Sequence, residues 1–340
     1  MPASTLFGSC TPLQTARRTY PGHTSLVDHE QRIMLMFTPK GGATVAAQIF
    51  LRYEDLLKEA YTYSTWVHNY RLEVFNQQAN HVPVQCTPKL CSTGWTCIRL
   101  IRQPLDRVVS TYAFAAKGCT ILAHWDELKR IKLGSRAAQY KTPAAGSAEF
   151  QWGNYTAPPK ELCDVLRTTS FDEFTQALTM RSTTRTVSKA DDHFMPQVHL
   201  VDDTCDGSTM GAGIFLVPVE FLSDALPYLG RTTGVWLNAT GQTSSHYNMQ
   251  NQHQVEDDLE LQTAPVPFWP YSRVAKQSPP YELFTSSDSD IGRRVCCLFR
   301  EDIEMYRRAC RQPWMQLCTA CVAVCNRELE RLRSVCGTRD

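Results

Sequence analysis

The sequence predicts an α/β protein with a central, mostly parallel sheet flanked by helices. Two short, strongly apolar segments, Ile33–Phe37 and Thr96–Ile101, have the length and composition of buried strands. Each leads through a turn-forming loop into a stretch with helical spacing. That strand–loop–helix order, met twice, argues for parallel strands joined by crossover helices. The composition, 43% hydrophobic and 20% charged, is that of an ordinary globular protein; it excludes a disordered chain, a collagen-like chain and a coiled coil.

Residues 1–30 are polar, turn-rich and without a clear period, and read as a loose lead-in. The first strand is broken by Thr38-Pro39-Lys40-Gly41-Gly42. A helix is expected from Thr44 to about Ala60, with Val45, Ile49 and Leu56 among its apolar positions, and a second from about Tyr63 to Gln78. The second strand ends at Arg102-Gln103-Pro104. Proline suits the first turn of a helix, and the pattern continues helically from Leu105 to Ala116. Residues 135–160, rich in Ala, Gly, Thr and Pro, read as a surface insertion. Phe171–Met180 is a predicted helix with Asp172 and Glu173 in its first turn, where negative charge is favoured. Gly213–Val217 is a third strand, followed by a helix from about Phe221 to Leu229. Residues 238–290 are polar and loop-rich; Ile291–Cys310 and Trp314–Val335 close the chain as helices. The division expected is one domain over residues 31–310 and a cysteine-rich helical extension over 311–340.

The charge balance narrows the function. Lys and Arg number 35 against 34 Asp and Glu, a net charge of +1. No global field gathers nucleic acid or an anionic membrane, so neither is an expected partner and any anion site must be local. The apolar run Ile33–Phe37 is far short of the ~20 residues that span a bilayer. Met1–Cys10 lacks the basic-then-apolar order of a signal peptide. The 14 cysteines exceed what a cytosolic enzyme needs but fall short of the density of a small disulfide scaffold. They leave the redox compartment open.

Two motifs carry chemistry. The first, Pro39-Lys40-Gly41-Gly42-Ala43-Thr44, sits between a strand and a helix. Glycines let the backbone approach a ligand, and the helix N-terminus behind them offers N–H groups and positive dipole. Lys40 adds a full charge. The lysine precedes the glycines, so this is not a Walker A loop. The second motif is Arg102-Gln103-Pro104-Leu105-Asp106-Arg107-Val108-Val109-Ser110-Thr111-Tyr112. Arg102 stands at the C-terminal end of a strand, where open α/β sheets bind ligands. An arginine and the Ser110 hydroxyl converging on one phosphate is sound anion chemistry. Taken singly, the first is equally an ordinary strand-to-helix turn, and the second reads rather as an arginine that caps a loop and a serine that packs.

In this order, the two motifs resemble those of the sulfotransferases that use 3′-phosphoadenosine-5′-phosphosulfate as donor. The resemblance implies a P-loop nucleotide-kinase-like sulfotransferase fold. It assigns Pro39, Lys40, Gly41, Gly42, Ala43 and Thr44 to the 5′-phosphosulfate, and Arg102 and Ser110 to the 3′-phosphate. The second motif, R-x-P-x-x-R-x-x-S-x-Y, is matched at every fixed position. Ala43 departs from the first, since a hydroxyl residue is usual there; Gln103 replaces a frequent Asp or His. The family usually carries a catalytic His or Glu between the motifs. His81, in Asn80-His81-Val82-Pro83, resembles that residue and is the expected general base, with Lys40 stabilising the transferring group; His68 is the rival. More loosely, His193-Phe194-Met195-Pro196-Gln197, Gly213–Leu229 with Glu220, Ser244–Asn248 and Val295–Tyr306 resemble the carbohydrate, Golgi-type branch.

The resemblance thus implies sulfuryl transfer to a hydroxyl or amine of an acceptor, a glycan or a small hydroxylated molecule, with no metal required. It places the protein in the Golgi if an anchor lies outside this chain, and in the cytoplasm otherwise. The competing readings are a kinase-like phosphotransferase, which needs a Walker A loop and a carboxylate for Mg²⁺, and an inactive nucleotide-binding interaction protein. Cys318, Cys321 and Cys325 lie at helical spacing without a nearby His, which favours packing or disulfides over a metal. Glu256-Asp257-Asp258 reads as a solvated charge run.

Overall fold

The computed structural model describes residues 24–84, 90, 93–117, 126–140, 159–183, 195–200, 214–237, 284 and 290–337. The protein is α/β: a four-stranded mixed sheet flanked by helices. The strands β1 (Ser25–Asp28), β2 (Ile33–Met36), β3 (Thr96–Ile101) and β4 (Ile214–Pro218) lie in the order β1-β2-β3-β4. β2, β3 and β4 are parallel, in the registers Ile33↔Thr96 and Cys97↔Ile214. β1 is antiparallel to β2, pairing Ser25 with Met36.

The sheet is therefore mixed, which corrects the expectation of a mostly parallel one. The antiparallel strand comes from the stretch read as a loose lead-in. Residues 29–32 form a turn too short to join anything but antiparallel neighbours. Asp28 holds that turn: its Oδ1 accepts from the N–H groups of Glu30 at 2.8 Å and Gln31 at 2.9 Å. With only Leu26 and Val27 apolar, β1 is too short to show a period.

β2 is buried on both faces, as its unbroken apolar run requires. Ile33, Leu35 and Phe37 join the large core with Ile98 and Leu100, while Met34 and Met36 pack with Val27 and Cys97 opposite. Around the sheet lie α1 (Ala43–Tyr53), α2 (Leu57–Tyr63), α3 (Val67–Glu73) and α4 (Pro104–Lys117). The helix expected to reach Ala60 stops at Tyr53 because Asp55 adopts a left-handed φ of 58°. The one expected over Tyr63–Gln78 is α3 followed by 3-10 turns at Phe75–Gln77 and Ala79–His81. α4 begins at Pro104, as predicted.

Beyond α4 come α5 (Asp126–Leu133), α6 (Lys160–Leu166), α7 (Phe171–Thr183), α8 (Gln197–Leu200) and α9 (Leu222–Thr233). The sequence did not announce α5, α6 or α8. In α5 charged residues outnumber apolar ones, and Lys129 is itself buried. α7 starts with a capping box: Glu173 N–H donates to Ser170 Oγ and Ser170 N–H to Glu173 Oε2. The expected helix Ile291–Cys310 is two, α10 (Ile291–Leu298) and α11 (Arg300–Cys310), broken at Phe299; α12 (Thr319–Cys336) follows.

α12 is fastened to the rest. Disulfides Cys296–Cys336 and Cys310–Cys325 tie it to α10 and α11, and Arg331 lies 3.0 Å from Asp106 of α4. Cys318 and Cys321 are bonded to each other, and no described cysteine is free. No described helix is long and apolar enough to cross a membrane. Residues 141–158 of the expected insertion, most of 238–290, His193, Phe194, Ser244–Asn248 and Glu256–Asp258 lie outside the described residues.

Candidate anion-binding site

The site begins where β2 runs out. Phe37 and Thr38 are fully buried, and the chain then turns sharply, with left-handed φ angles of 57° at Lys40 and 102° at Gly42. The N–H of Gly41 donates to the Thr38 carbonyl at 2.8 Å and closes the turn. Both glycines are sterically required. A Cβ on Gly41 would meet Thr38 Oγ1 at 2.2 Å, and one on Gly42 would meet Val219 Cγ1 at 2.7 Å. Gly42 is the N-cap of α1 and supplies no side-chain cap; the first helical bond runs from Ala46 N–H to the Gly42 carbonyl. The N–H groups of Ala43, Thr44 and Val45 therefore stand ahead of the helix ladder, at the positive end of its dipole.

The second motif meets this loop from β3 and α4. Arg102 Nη1 donates to the Lys40 carbonyl at 3.3 Å. The Lys40 ammonium sits 3.7 Å above the Phe114 ring. Phe114 lies one helical turn beyond Ser110, so the two share a face of α4. The structure thus brings Pro39, Lys40, Gly41, Gly42, Ala43, Thr44 and Arg102 to the C-terminal ends of two adjacent parallel strands, while Ser110 stands further along α4, on the face that Phe114 turns to Lys40. Arg102 is half-buried and forms no ion pair among the described residues. Arg107 is built into the fold: it is buried, its Nε donates to the Pro39 carbonyl at 3.1 Å, and its Nη1 lies 3.9 Å from Asp302.

The two histidines separate. His81 is stacked on Phe75 at 4.0 Å, and its Nδ1 is 2.9 Å from the Val27 carbonyl. Val27 pairs with Met34, so His81 is held beside the edge strand, about 10 Å along β2 from the loop after Phe37. His68, on α3, is the histidine at the loop: its Nε2 lies 3.2 Å from Thr44 Oγ1. It is buried, and burial, with the charges of Arg71 and Lys40, pushes its pKa down to about 3. The imidazole is therefore neutral at physiological pH. Its Nδ1 is buried and without a hydrogen-bond partner among the described residues, as is Thr38 Oγ1 beneath the loop.

Four supporting residues carried no catalytic signal in the sequence. Arg71 of α3 is buried, with its guanidinium 5.0 Å from the Phe37 ring, and burial lowers its pKa to about 10. Glu220, just past β4, accepts from Gln103 N–H at 2.6 Å and from Tyr306 OH at 3.3 Å; burial pushes its pKa up to about 7. Gln197 and Asp302 join across the back of the site, with Asp302 accepting from Gln197 N–H at 2.8 Å. Glu220, Gln197 and Asp302 lay in segments whose sequence resembles the carbohydrate branch, but only their distant partners reveal what they touch.

Among the described residues, no group of three or more His, Cys, Asp or Glu side chains is placed to hold a metal ion. Comparison of the chain with family models, curated proteins and solved structures gives no match.

Proposed function

We propose that this protein is a sulfotransferase that takes a sulfuryl group from 3′-phosphoadenosine-5′-phosphosulfate and passes it to a hydroxyl of an acceptor. The observation that carries the reading is the meeting of the two anion motifs: the Arg102 guanidinium reaches the Lys40 carbonyl, and the Lys40 ammonium reaches the Ser110 face of α4. The residues fit a bound anion, since a bare glycine backbone leads into the start of α1 over a buried Thr38 hydroxyl that has no partner among the described residues.

In this reading the N–H groups of Ala43, Thr44 and Val45, with Lys40, hold the 5′ end of the nucleotide. Arg102 and Ser110 hold the 3′-phosphate and so separate this donor from ATP. The donor supplies the sulfuryl group. The acceptor oxygen forms a bond to sulfur as the bond from sulfur to the bridging phosphate oxygen breaks. The acceptor proton passes to His68 Nε2, whose basicity rises as the negative charge of the bound donor offsets Arg71 and Lys40, and which takes the role that the resemblance gave to His81. Lys40 and the backbone N–H groups offset the charge that develops on the leaving oxygen. A glycan or small hydroxylated molecule is the acceptor this chemistry suits.

The test is a thermal-shift titration with adenosine 3′,5′-bisphosphate, with ADP as control, on wild type and Arg102→Ala. A ligand at ~100 times its Kd stabilises by about 2.7 kcal/mol, which is measurable. Selective stabilisation by the bisphosphate, lost in the variant, supports the reading. No response from a folded sample removes it.

A further inference from the structure

Gln197 is completely buried, and its side-chain amide spends both of its polar atoms on the backbone of one residue. Its Oε1 accepts from Arg102 N–H at 2.9 Å, and its Nε2 donates to the Arg102 carbonyl at 2.9 Å. Arg102 is the first residue past β3. Gln197 supplies there the pairing that a neighbouring strand would otherwise give. The same Oε1 lies 3.0 Å from the place a Cβ on Gly41 would occupy, so the amide is pressed against the first motif as well.

Gln197 is in turn held from both sides. Asp302 caps α8, accepting from the N–H groups of Gln197 at 2.8 Å and Val198 at 3.0 Å. The Gln197 carbonyl accepts from Arg99 Nη2 at 2.7 Å. Asp302 faces Arg107, and Arg107 donates to the Pro39 carbonyl. The contacts close a circuit from Pro39 through Arg107, Asp302, Gln197 and Arg102 to Lys40. An arginine side chain has many rotamers, and aiming its guanidinium requires a fixed backbone beneath it. One Arg102 nitrogen is tethered by the Lys40 carbonyl; the fork retains further donors.

We infer that Gln197 is a positioning residue that aims Arg102, and so sets the preference of this site for a nucleotide bearing a 3′-phosphate. The inference rests on the proposed sulfotransferase reading and adds to it a residue that touches no nucleotide.

The experiment is calorimetric titration of wild type, Gln197→Met and Arg102→Ala with two probes, adenosine 3′,5′-bisphosphate and adenosine 5′-phosphate. Wild type is expected to prefer the bisphosphate. Gln197→Met is expected to lose roughly 10-fold or more of that preference, as Arg102→Ala does, with its Kd for the 5′-phosphate nearly unchanged. A folded Gln197→Met that keeps the wild-type ratio overturns the inference. So does an equal loss of both nucleotides, because that marks Gln197 as a support of the fold alone. If Gln197→Met does not fold, Asp302→Asn, which loosens the cap on α8, is read by the same ratio and decides in the same way. A wild type without preference for the bisphosphate removes the sulfotransferase reading itself, a result separate from the other two.

Discussion

The Nε2 of His68 and the hydroxyl of Thr44 lie 3.2 Å apart, which sets a neutral imidazole from α3 against the first turn of α1, at the head of the proposed anion site. Its pKa of about 3 reflects burial first, then the positive charges of Arg71 and Lys40. A bound phosphosulfate brings negative charge to the same place and favours the imidazolium. The His68 pKa is therefore expected to rise when adenosine 3′,5′-bisphosphate binds. Histidine proton shifts followed by NMR across pH, with and without the nucleotide, measure it; an unmoved His68 resonance would put the anion elsewhere. Stability carries the same signature. The unfolded chain binds the His68 proton near pH 6.5 and the folded chain only near pH 3. Stability is thus lost as pH falls through that window, and His68→Gln should flatten the acid limb.

Exchanging the two histidines tests which one acts. His68→Ala is expected to lower kcat by about 10²–10⁴-fold, the usual worth of a positioned base, with a small change in nucleotide affinity. His81→Phe keeps a ring that can stack on Phe75 and loses only the contact with the Val27 carbonyl. It is expected to cost about 1 kcal/mol of stability and leave kcat near wild type. Steady-state rates and melting temperatures of the two variants give the answer; the reverse pattern would return the role to His81.

Gly41→Ala probes the loop itself. The added methyl would fall 2.2 Å from Thr38 Oγ1 and 3.2 Å from the Thr38 carbonyl, so the turn must open. Nucleotide affinity is expected to fall at least about 10-fold, because the N–H groups of α1 move with the turn. Gly134→Ala is the control: its φ is also positive, at +54°, but a Cβ there meets nothing within 4 Å. It should cost only local strain, about 1 kcal/mol of stability, with binding unchanged.

Glu220 reverses the pH argument. Burial raises its pKa to about 7, against the pull of Gln103 N–H and Arg102. The folded chain therefore holds this proton more tightly than the unfolded chain does. The associated stability is present below about pH 4.5 and is lost as pH rises through about 7. Glu220→Gln keeps an oxygen to accept from Gln103 N–H and cannot ionise. Denaturant midpoints at pH 5 and pH 8 should differ less in the variant than in wild type.

The parts of this protein legible in the sequence are those encoded by near neighbours. The run Ile33–Phe37, the glycines after Lys40 and the proline that opens α4 each fix the backbone within a few residues, and the strand–loop–helix units follow from them. β1 escaped because four residues with only two apolar ones carry no period, although Asp28 builds the turn that makes the sheet mixed. The breaks at Asp55 and Phe299 escaped because helical periodicity runs through both.

The site divides along the same line. The turn at Lys40, Gly41 and Gly42 could be read from the sequence, because a loop between a strand and a helix is a local object; Arg102 and Ser110 entered as anion ligands only through the resemblance, and their role is part of the proposal. Which histidine faces that loop could not, because both precede Arg102 and only the packing of α3 and the edge strand separates them. Gln197 and Asp302 meet Arg102 and Arg107 from about a hundred and two hundred residues away along the chain. The sequence by itself determined the local backbone of the loop at which the anion is proposed to sit. Only the tertiary structure decided which buried side chains aim at it, since contacts between distant residues depend on how the whole chain packs.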